Sequence, residues 1–229
     1  MNSHENEKLY VLNAGLTRYK EAWEMQKRLV SLRQDEKIPD CLIVTEHHPV
    51  ITMGRGTDQT NLLASKKQLE QKGVDLFEIE RGGDITFHGP GQTVLYPIID
   101  LHHRGRDVHK YLRDLESFVI ATLNDLGLDA GIKEGLTGIW VDDHKVGAIG
   151  VAVSKWVTYH GLALNVTTDL DYFKLINPCG ITDYPVGSIS GLLGKRIDLQ
   201  HVNDLLVESF ADEFNYESET PASSELPIN

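Results

Sequence analysis

Cysteine is scarce in this chain: Cys41 and Cys179 are the only two. Two thiols cannot build a disulfide framework, so the fold must rest on burial. No apolar run approaches the roughly 18 residues that a membrane-spanning helix needs. The opening residues, MNSHENEKLY, carry neither an apolar signal core nor an Arg-rich pattern. These absences predict a cytoplasmic protein. Basic charge is short too. The 22 Lys and Arg face 34 Asp and Glu, a net charge of −12, and a nucleic-acid partner would require a basic face. Nucleotide cradles are missing: no G-x-G-x-x-G occurs, and GSISGLLGKR has the wrong glycine spacing for a P-loop, with Arg196 where Ser or Thr belongs. His47, His48, His102, His103 and His109 follow no zinc spacing. They are expected as solvated loop residues, with no metal and no cofactor.

What remains is an ordinary globular composition, 41% hydrophobic and 24% charged over 229 residues, long enough to bury a sizeable core. KLYVLNAG reads as a first strand, after which Thr17 caps a helix running to about Lys37, with Tyr19, Ala22, Trp23, Leu29 and Val30 near helical spacing. Strand-like runs follow at Cys41–Glu46, Val50–Thr52, Val74–Ile79 and Thr93–Ile98, with a short helix from Ser65 to Lys72. Asp107 reads as the N-cap of a long helix whose stripe is Val108, Tyr111, Leu112, Leu115, Val119, Leu123 and Leu126, ended by Gly127. TGIWV and KVGAIGVAV form a hairpin around residues 142–144, and WVTYHGLALNV is the next strand. A last helix covers Leu199 to Phe214. Strands and helices mix without regular βαβ alternation, which predicts a single α+β domain over 8–214, with flexible termini at 1–7 and 215–229.

Three stretches stand apart from this scaffold. RGGDITFHGPGQ ends a strand in a histidine and turns at once through Gly-Pro-Gly. KVGAIG and YHGLAL put glycines 147, 150 and 161 inside strand sequence, which marks either bulges or close approach by a ligand or backbone. Lys145, just past the hairpin turn, is either a solvated surface group or, if held against apolar surface, a base. NPCGI sets Cys179 between a proline and a glycine, outside any apolar period. That thiol is either an inert turn residue or an accessible nucleophile. Cys41, in CLIVTE, reads as a small buried hydrophobe.

In order and spacing, RGGDITFHGPGQ, KVGAIG with WVTYHGLALNV, and NPCGI resemble the lipoyl(octanoyl) transferases. These enzymes move an octanoyl group from acyl carrier protein to a lysine of a lipoyl domain. The resemblance implies a mixed β-sheet flanked by helices, the fold shared with lipoate and biotin protein ligases. It makes Cys179 the acyl-accepting nucleophile and Lys145 the partner that activates it. It makes Arg81, Gly82, Gly83, Asp84, Ile85, Thr86, Phe87 and His88 one wall of the acyl pocket, and Ala148, Ile149, Gly150, Gly161, Leu162 and Ala163 the other. The partners it implies are octanoyl-acyl carrier protein as donor, and as acceptors the lipoyl domains of 2-oxoacid dehydrogenases and the glycine cleavage H protein. No nucleic acid, no membrane and a monomer complete the expectation. On this reading the Gly-Pro-Gly corner turns His88 into the pocket, while Gly82 and Gly83 let backbone close on substrate. Gly187 precedes Ser188 where the family commonly has threonine.

Alternatives are an ATP-dependent lipoate-protein ligase, a lipoyl or octanoyl amidotransferase acting between carrier proteins, and a non-catalytic acyl-binding module. The ligase would need a nucleotide site but no cysteine. The binding module would not require Cys179 and Lys145 together. Because carrier proteins and lipoyl domains are acidic, as this chain is, the basic stretch HHRGRDVHKYLR, from His102 to Arg113, is either the carrier-docking surface or a solvated loop leading into a helix.

Overall fold

In the computed structural model, residues 7–178 and 184–222 are described. Eleven strands and five α-helices are present among them: β1 (Glu7–Thr17), α1 (Tyr19–Gln34), β2 (Asp40–His47), β3 (Val50–Met53), α2 (Lys66–Lys72), β4 (Asp75–Glu78), β5 (Ile85–His88), β6 (Gln92–Ile98), α3 (Val108–Asp125), β7 (Ala130–Lys133), β8 (Leu136–Val141), β9 (His144–Ser154), β10 (Val157–Asn165), α4 (Ile189–Leu193), α5 (Leu199–Phe214) and β11 (Tyr216–Glu219). They make two sheets. The larger has the order β11-β1-β2-β6-β10-β9-β8-β7, and the smaller β4-β3-β5. Both mix parallel and antiparallel pairs. The α+β expectation holds; the division into two sheets is a finding beyond it.

The larger sheet is covered on both faces, which explains the unbroken apolar run at β2. Side chains alternate along a strand. Leu42 and Val44 therefore join α3 and α5 residues such as Leu115, Phe118, Leu206 and Phe210 in one core. Cys41 and Ile43 face the opposite way, onto Ala22, Leu29 and Val30 of α1. Cys41 is fully buried, and burial pushes its thiol up to about 12, so it is inert as expected. The smaller sheet packs Ile51, Ile85 and Phe87 against Leu69, Leu175 and Ile176 in a core of its own.

Two boundaries differ from the sequence reading. Arg18, not Thr17, is the N-cap of α1. Thr17 belongs to β1, where its hydroxyl meets Thr45 Oγ1 at 2.9 Å across the strand pair. The second difference is at the C-terminal side, where 215–229 reads as a polar tail. Tyr216–Glu219 instead pairs in parallel with β1, and Tyr216 is 5% exposed. Its hydroxyl donates to Asp40, whose other oxygen accepts from Arg33 Nε at 2.7 Å and from the Asp100 amide at 2.9 Å. A polar-looking segment is thus drawn into the fold by one aromatic ring and one buried carboxylate. Asp40→Ala is expected to destabilise the protein by about 3 kcal/mol, because it leaves a half-buried guanidinium and a buried hydroxyl short of their partner. Urea denaturation measures this; a loss below about 1 kcal/mol would contradict it.

The Gly-Pro-Gly corner has its explanation in the topology. His88 ends β5 in the small sheet and Gln92 begins β6 in the large one, so residues 89–91 carry the chain from sheet to sheet. Gly91, at φ +79°, lies against Thr167, and its carbonyl accepts from the amides of Val166 and Thr167 and from Thr168 Oγ1. Its own amide donates to Glu46 Oε2 at 2.6 Å. A side chain at 91 would overlap residue 167, so glycine is required there.

Candidate active site

A cavity of about 650 Å³ opens between the two sheets. Every expected wall residue except Phe87 lines it: Arg81, Gly82, Gly83, Asp84, Ile85, Thr86 and His88 on one side, Ala148, Ile149, Gly150, Gly161, Leu162 and Ala163 on the other, with Lys145 among them. Phe87 is the correction. It lies in the core of the small sheet, where it stacks on Tyr172 at 4.8 Å. Cys179 lies outside the described residues, but Pro178 beside it lines a crevice together with Thr86, Lys145 and Ala148.

The glycines are there for backbone crossings. A Cβ at Gly150 would come within 2.9 Å of Gly82 O and 3.0 Å of Arg81 Cδ. At this crossing the Gly82 amide donates to Val151 O at 2.9 Å. Gly82 and Gly83 therefore close on the protein's own strand β9 and on Gly54, whose Cβ would stand 2.5 Å from Gly83 O. Arg81 tightens this turn from below: Nη2 donates to Thr52 O at 2.8 Å and Nη1 to Gly82 O at 3.0 Å.

Lys145 is 8% exposed. Its Nζ stands 5.7 Å from the centre of the buried Trp140 ring, a cation–π distance. Trp140 in turn meets Tyr184 edge-on at 5.4 Å. The lysine reaches this place over Gly138, at φ +132°, where a Cβ would lie 2.6 Å from Lys145 Cε and 2.6 Å from Gly147 O. The surface-lysine alternative is therefore set aside.

The inner wall holds residues that sequence reading missed or misplaced. Tyr19 and Tyr96 line the cavity, with no sequence signal beyond helical spacing for the first. Val108 and Leu112, expected as core stripe of α3, also line it. His47, expected in a solvated loop, is fully buried at the end of β2, with Nε2 2.7 Å from Tyr96 OH. His48, His102, His103 and His109 are exposed. Among the described residues no group of three His, Cys, Asp or Glu is arranged to hold a metal ion, and no helix is long and apolar enough to cross a membrane. His160 adopts φ +56°, a costly conformation for a side-chain-bearing residue. It is held there by its amide donating to Gln26 Oε1 at 2.7 Å.

Burial holds three histidines uncharged: His47 falls to about 4, His88 to about 3 and His160 to about 4. His88 Nδ1 lies 2.7 Å from Gln92 Oε1. Since Gln92 Nε2 donates to two oxygens, those of Phe87 and Asn165, its Oε1 must accept, and the hydrogen-bond pattern assigns the proton to His88 Nδ1. His88 Nε2 therefore carries a lone pair and serves as an acceptor at neutral pH. Unfolded histidines titrate near 6.5. Because the folded values are depressed, the stability is complete above about pH 6.5 and is lost as pH falls toward 4, where the unfolded chain takes up protons that the native state refuses. Three such groups together cost on the order of 4 kcal/mol per pH unit. Urea midpoints are expected to fall steeply between pH 6.5 and 5, and His47→Gln should make that slope shallower. A flat profile would contradict the burial of neutral rings.

Within the basic stretch from His102 to Arg113, several cations meet groups of the protein itself. Arg104 Nη2 donates to Phe214 O at 3.0 Å and its guanidinium lies 4.7 Å from the Tyr216 ring. Lys110 pairs with Asp114 at 2.6 Å, and Arg113 pairs with Glu116. Arg106 is exposed, with its guanidinium 6.0 Å from the Trp156 ring. Ser188 also has a local task, accepting from the Gly191 amide as N-cap of α4.

Residues 18–211 match the family model described as the lipoyl protein ligase A/B catalytic domain. The chain is 49% identical over 207 residues to an octanoyltransferase of Koribacter versatilis, covering 88% of this chain and 82% of the relative. It is 48% identical over 200 residues to an octanoyltransferase of Rubrobacter xylanophilus, covering 86% and 90%. Among solved structures, the bipartite lipoate protein ligase of Thermoplasma acidophilum superposes with a TM-score of 0.72 at 17% identity, over 97% of this chain and 89% of that one. At that identity the likeness establishes the fold.

Proposed function

The chain belongs to the octanoyltransferases of the lipoyl protein ligase A/B catalytic family, and from that premise we propose that it carries octanoyl groups from octanoyl-acyl carrier protein, through a thioester on Cys179, to a specific lysine of lipoyl domains. The observation that carries this reading is a buried lysine, Lys145, in the wall of a cavity of about 650 Å³, a size usual for small-molecule sites, with Pro178 in an adjoining crevice that shares Lys145, Thr86 and Ala148.

The thiolate of Cys179 attacks the carbonyl carbon of the donor thioester. The donor's C–S bond breaks, the carrier thiol leaves with a proton, and an equivalent thioester forms on the protein. The acceptor amine then attacks that carbonyl; the amide C–N bond forms, the C–S bond to Cys179 breaks, and the thiolate is restored. Lys145 takes the proton of the Cys179 thiol, gives it to the departing carrier thiol, and then takes the proton that the attacking amine loses, a duty arginine cannot perform near neutral pH. The first exchange is between near-equals and the amide makes the second favourable, so no ATP enters. His88, uncharged in the inner wall with its Nε2 as acceptor, accepts a hydrogen bond rather than delivering a proton, and His160 stays uncharged beside Glu80. The acceptors include the lipoyl domains of 2-oxoacid dehydrogenases and the glycine cleavage H protein. The catalytic unit is 8–214, extended by the strand at Tyr216–Glu219, and acts as a cytoplasmic monomer.

The test is a two-protein assay. Purified enzyme, octanoyl-acyl carrier protein and an unmodified lipoyl domain are mixed without nucleotide, and the acceptor is weighed. One octanoyl group on one lysine is expected. Modification only from free octanoate with ATP would overturn the reading in favour of a ligase.

A further inference from the structure

A continuous hydrogen-bonded chain runs through the interior from the cavity to the backbone of Lys145. His88 Nδ1 donates to Gln92 Oε1 at 2.7 Å, and Gln92 Nε2 donates to Asn165 Oδ1 at 2.8 Å. Asn165 Nδ2 donates to Gly187 O at 3.0 Å, and the Gly187 amide donates to Lys145 O at 2.9 Å. The Lys145 amide donates in turn to Pro185 O at 2.9 Å, so residues 185–187 lie along β9 as a one-bridge parallel pairing centred on Lys145 and Val186. Gln92 and Asn165 are 2% and 4% exposed. They stand opposite each other where β6 begins and β10 ends, and both line the crevice between Lys145 and Pro178.

Two buried carboxamides facing each other need a reason, because each must satisfy several donors and acceptors away from water. An apolar pair there would pack as well. It would leave Gly187 O without the Asn165 donor, and the short segment beside Lys145 would keep its two backbone bonds to Lys145 without that side-chain bond. Each carboxamide has one orientation open to it, since the bonds on both its ends fix which atom is nitrogen. The pair is therefore a rigid spacer of defined length between the large sheet and the segment that clamps Lys145.

We propose that Gln92 and Asn165 are positioning residues that set Lys145 for catalysis, acting through the Asn165–Gly187 bond on the backbone clamp at 185–187. The proposal rests on Lys145 taking part in the transfer, so its test includes a readout independent of activity. Amide hydrogen exchange is measured on native protein, on Asn165→Ala and on Asn165→Asp, together with kcat and KM for octanoyl-acyl carrier protein. In Asn165→Ala the Lys145 and Gly187 amides should lose at least tenfold in protection while those of β2 stay within twofold. The kcat value should fall at least tenfold with KM within twofold. Asn165→Asp adds a signature: the protonated acid can donate to Gly187 O and the carboxylate cannot. Its kcat should approach the native value at the acidic end of the working range and fall away as pH rises. It also keeps the test open if the alanine variant does not fold. Unchanged protection at Lys145 and Gly187 would overturn the proposal whether or not the protein transfers octanoyl groups. So would lost protection with unchanged kcat, or a loss spread evenly through β2, β6 and β10, which would assign the pair to general packing. If the native protein transfers no octanoyl group while the clamp loosens as described, the proposed function fails and the positioning role falls with it.

Discussion

Lys145→Ala is expected to slow octanoyl transfer by about a thousandfold, within the range of roughly 10²–10⁴ by which a positioned acid–base group accelerates a reaction. The side chain is nearly enclosed and aimed across Trp140, so water does not easily replace it. Lys145→Arg should fare little better, because its guanidinium holds its proton near neutral pH and needs more room than the space over Gly138 allows. Single-turnover acylation from octanoyl-acyl carrier protein reads the effect directly. The backbone clamp to Pro185 and Gly187 is untouched by either change, so the thermal midpoint should move by only a few degrees. Acylation within threefold of native in both variants would remove Lys145 from the mechanism.

Gly161→Ala should bring a large loss of stability. An added Cβ would lie 2.2 Å from Leu95 O and 2.7 Å from Pro97 Cδ, contacts with backbone and a rigid ring that cannot swing aside. Relief requires β10 to move away from β6 at the centre of the eight-stranded sheet. A cost of about 3 kcal/mol or more follows, comparable to the upper range for overpacked cores. At roughly 2–4 °C per kcal/mol for a chain of this size, the melting temperature should drop by about 6–12 °C. Gly131→Ala is the control: it sits in β7 with nothing within 4 Å of its would-be Cβ, and it should leave the midpoint nearly unchanged. Equal shifts for the two variants would contradict the steric account.

Much of the fold was legible because its elements carry local signals. The Leu199–Phe214 helix and the hairpin turning at Asp142 and Asp143 appear where periodicity and turn chemistry put them. Asp107 caps α3 as its position suggests, accepting from the Lys110 amide at 2.9 Å. What was not legible depends on distant partners. Tyr216 is a strand residue beside β1, and Asp40, 176 positions away, accepts its hydroxyl. The division into two sheets hinges on residues 89–91, where sequence shows a corner but not what lies on either side of it. At the site, the glycine-rich strands signalled close approach. The thing approached proved to be the protein's own backbone, Gly82 against Gly150, with the cavity formed alongside. Histidine gave the least away: His47 and His48 are adjacent, yet one is sealed under Tyr96 and the other is exposed. β2 ends at His47, and His48 follows it in the turn to β3.

The central claim is that acyl groups pass through a thioester on this chain, and intact-protein mass spectrometry addresses it most directly. Native protein, Cys179→Ala and Lys145→Ala are each mixed with octanoyl-acyl carrier protein in the absence of ATP. The account predicts a single octanoyl adduct on the native protein that hydroxylamine removes, no adduct on the cysteine variant, and slow formation on the lysine variant. A hydroxylamine-labile adduct that persists in Cys179→Ala, or acceptor octanoylation by that variant at the native rate, would contradict it.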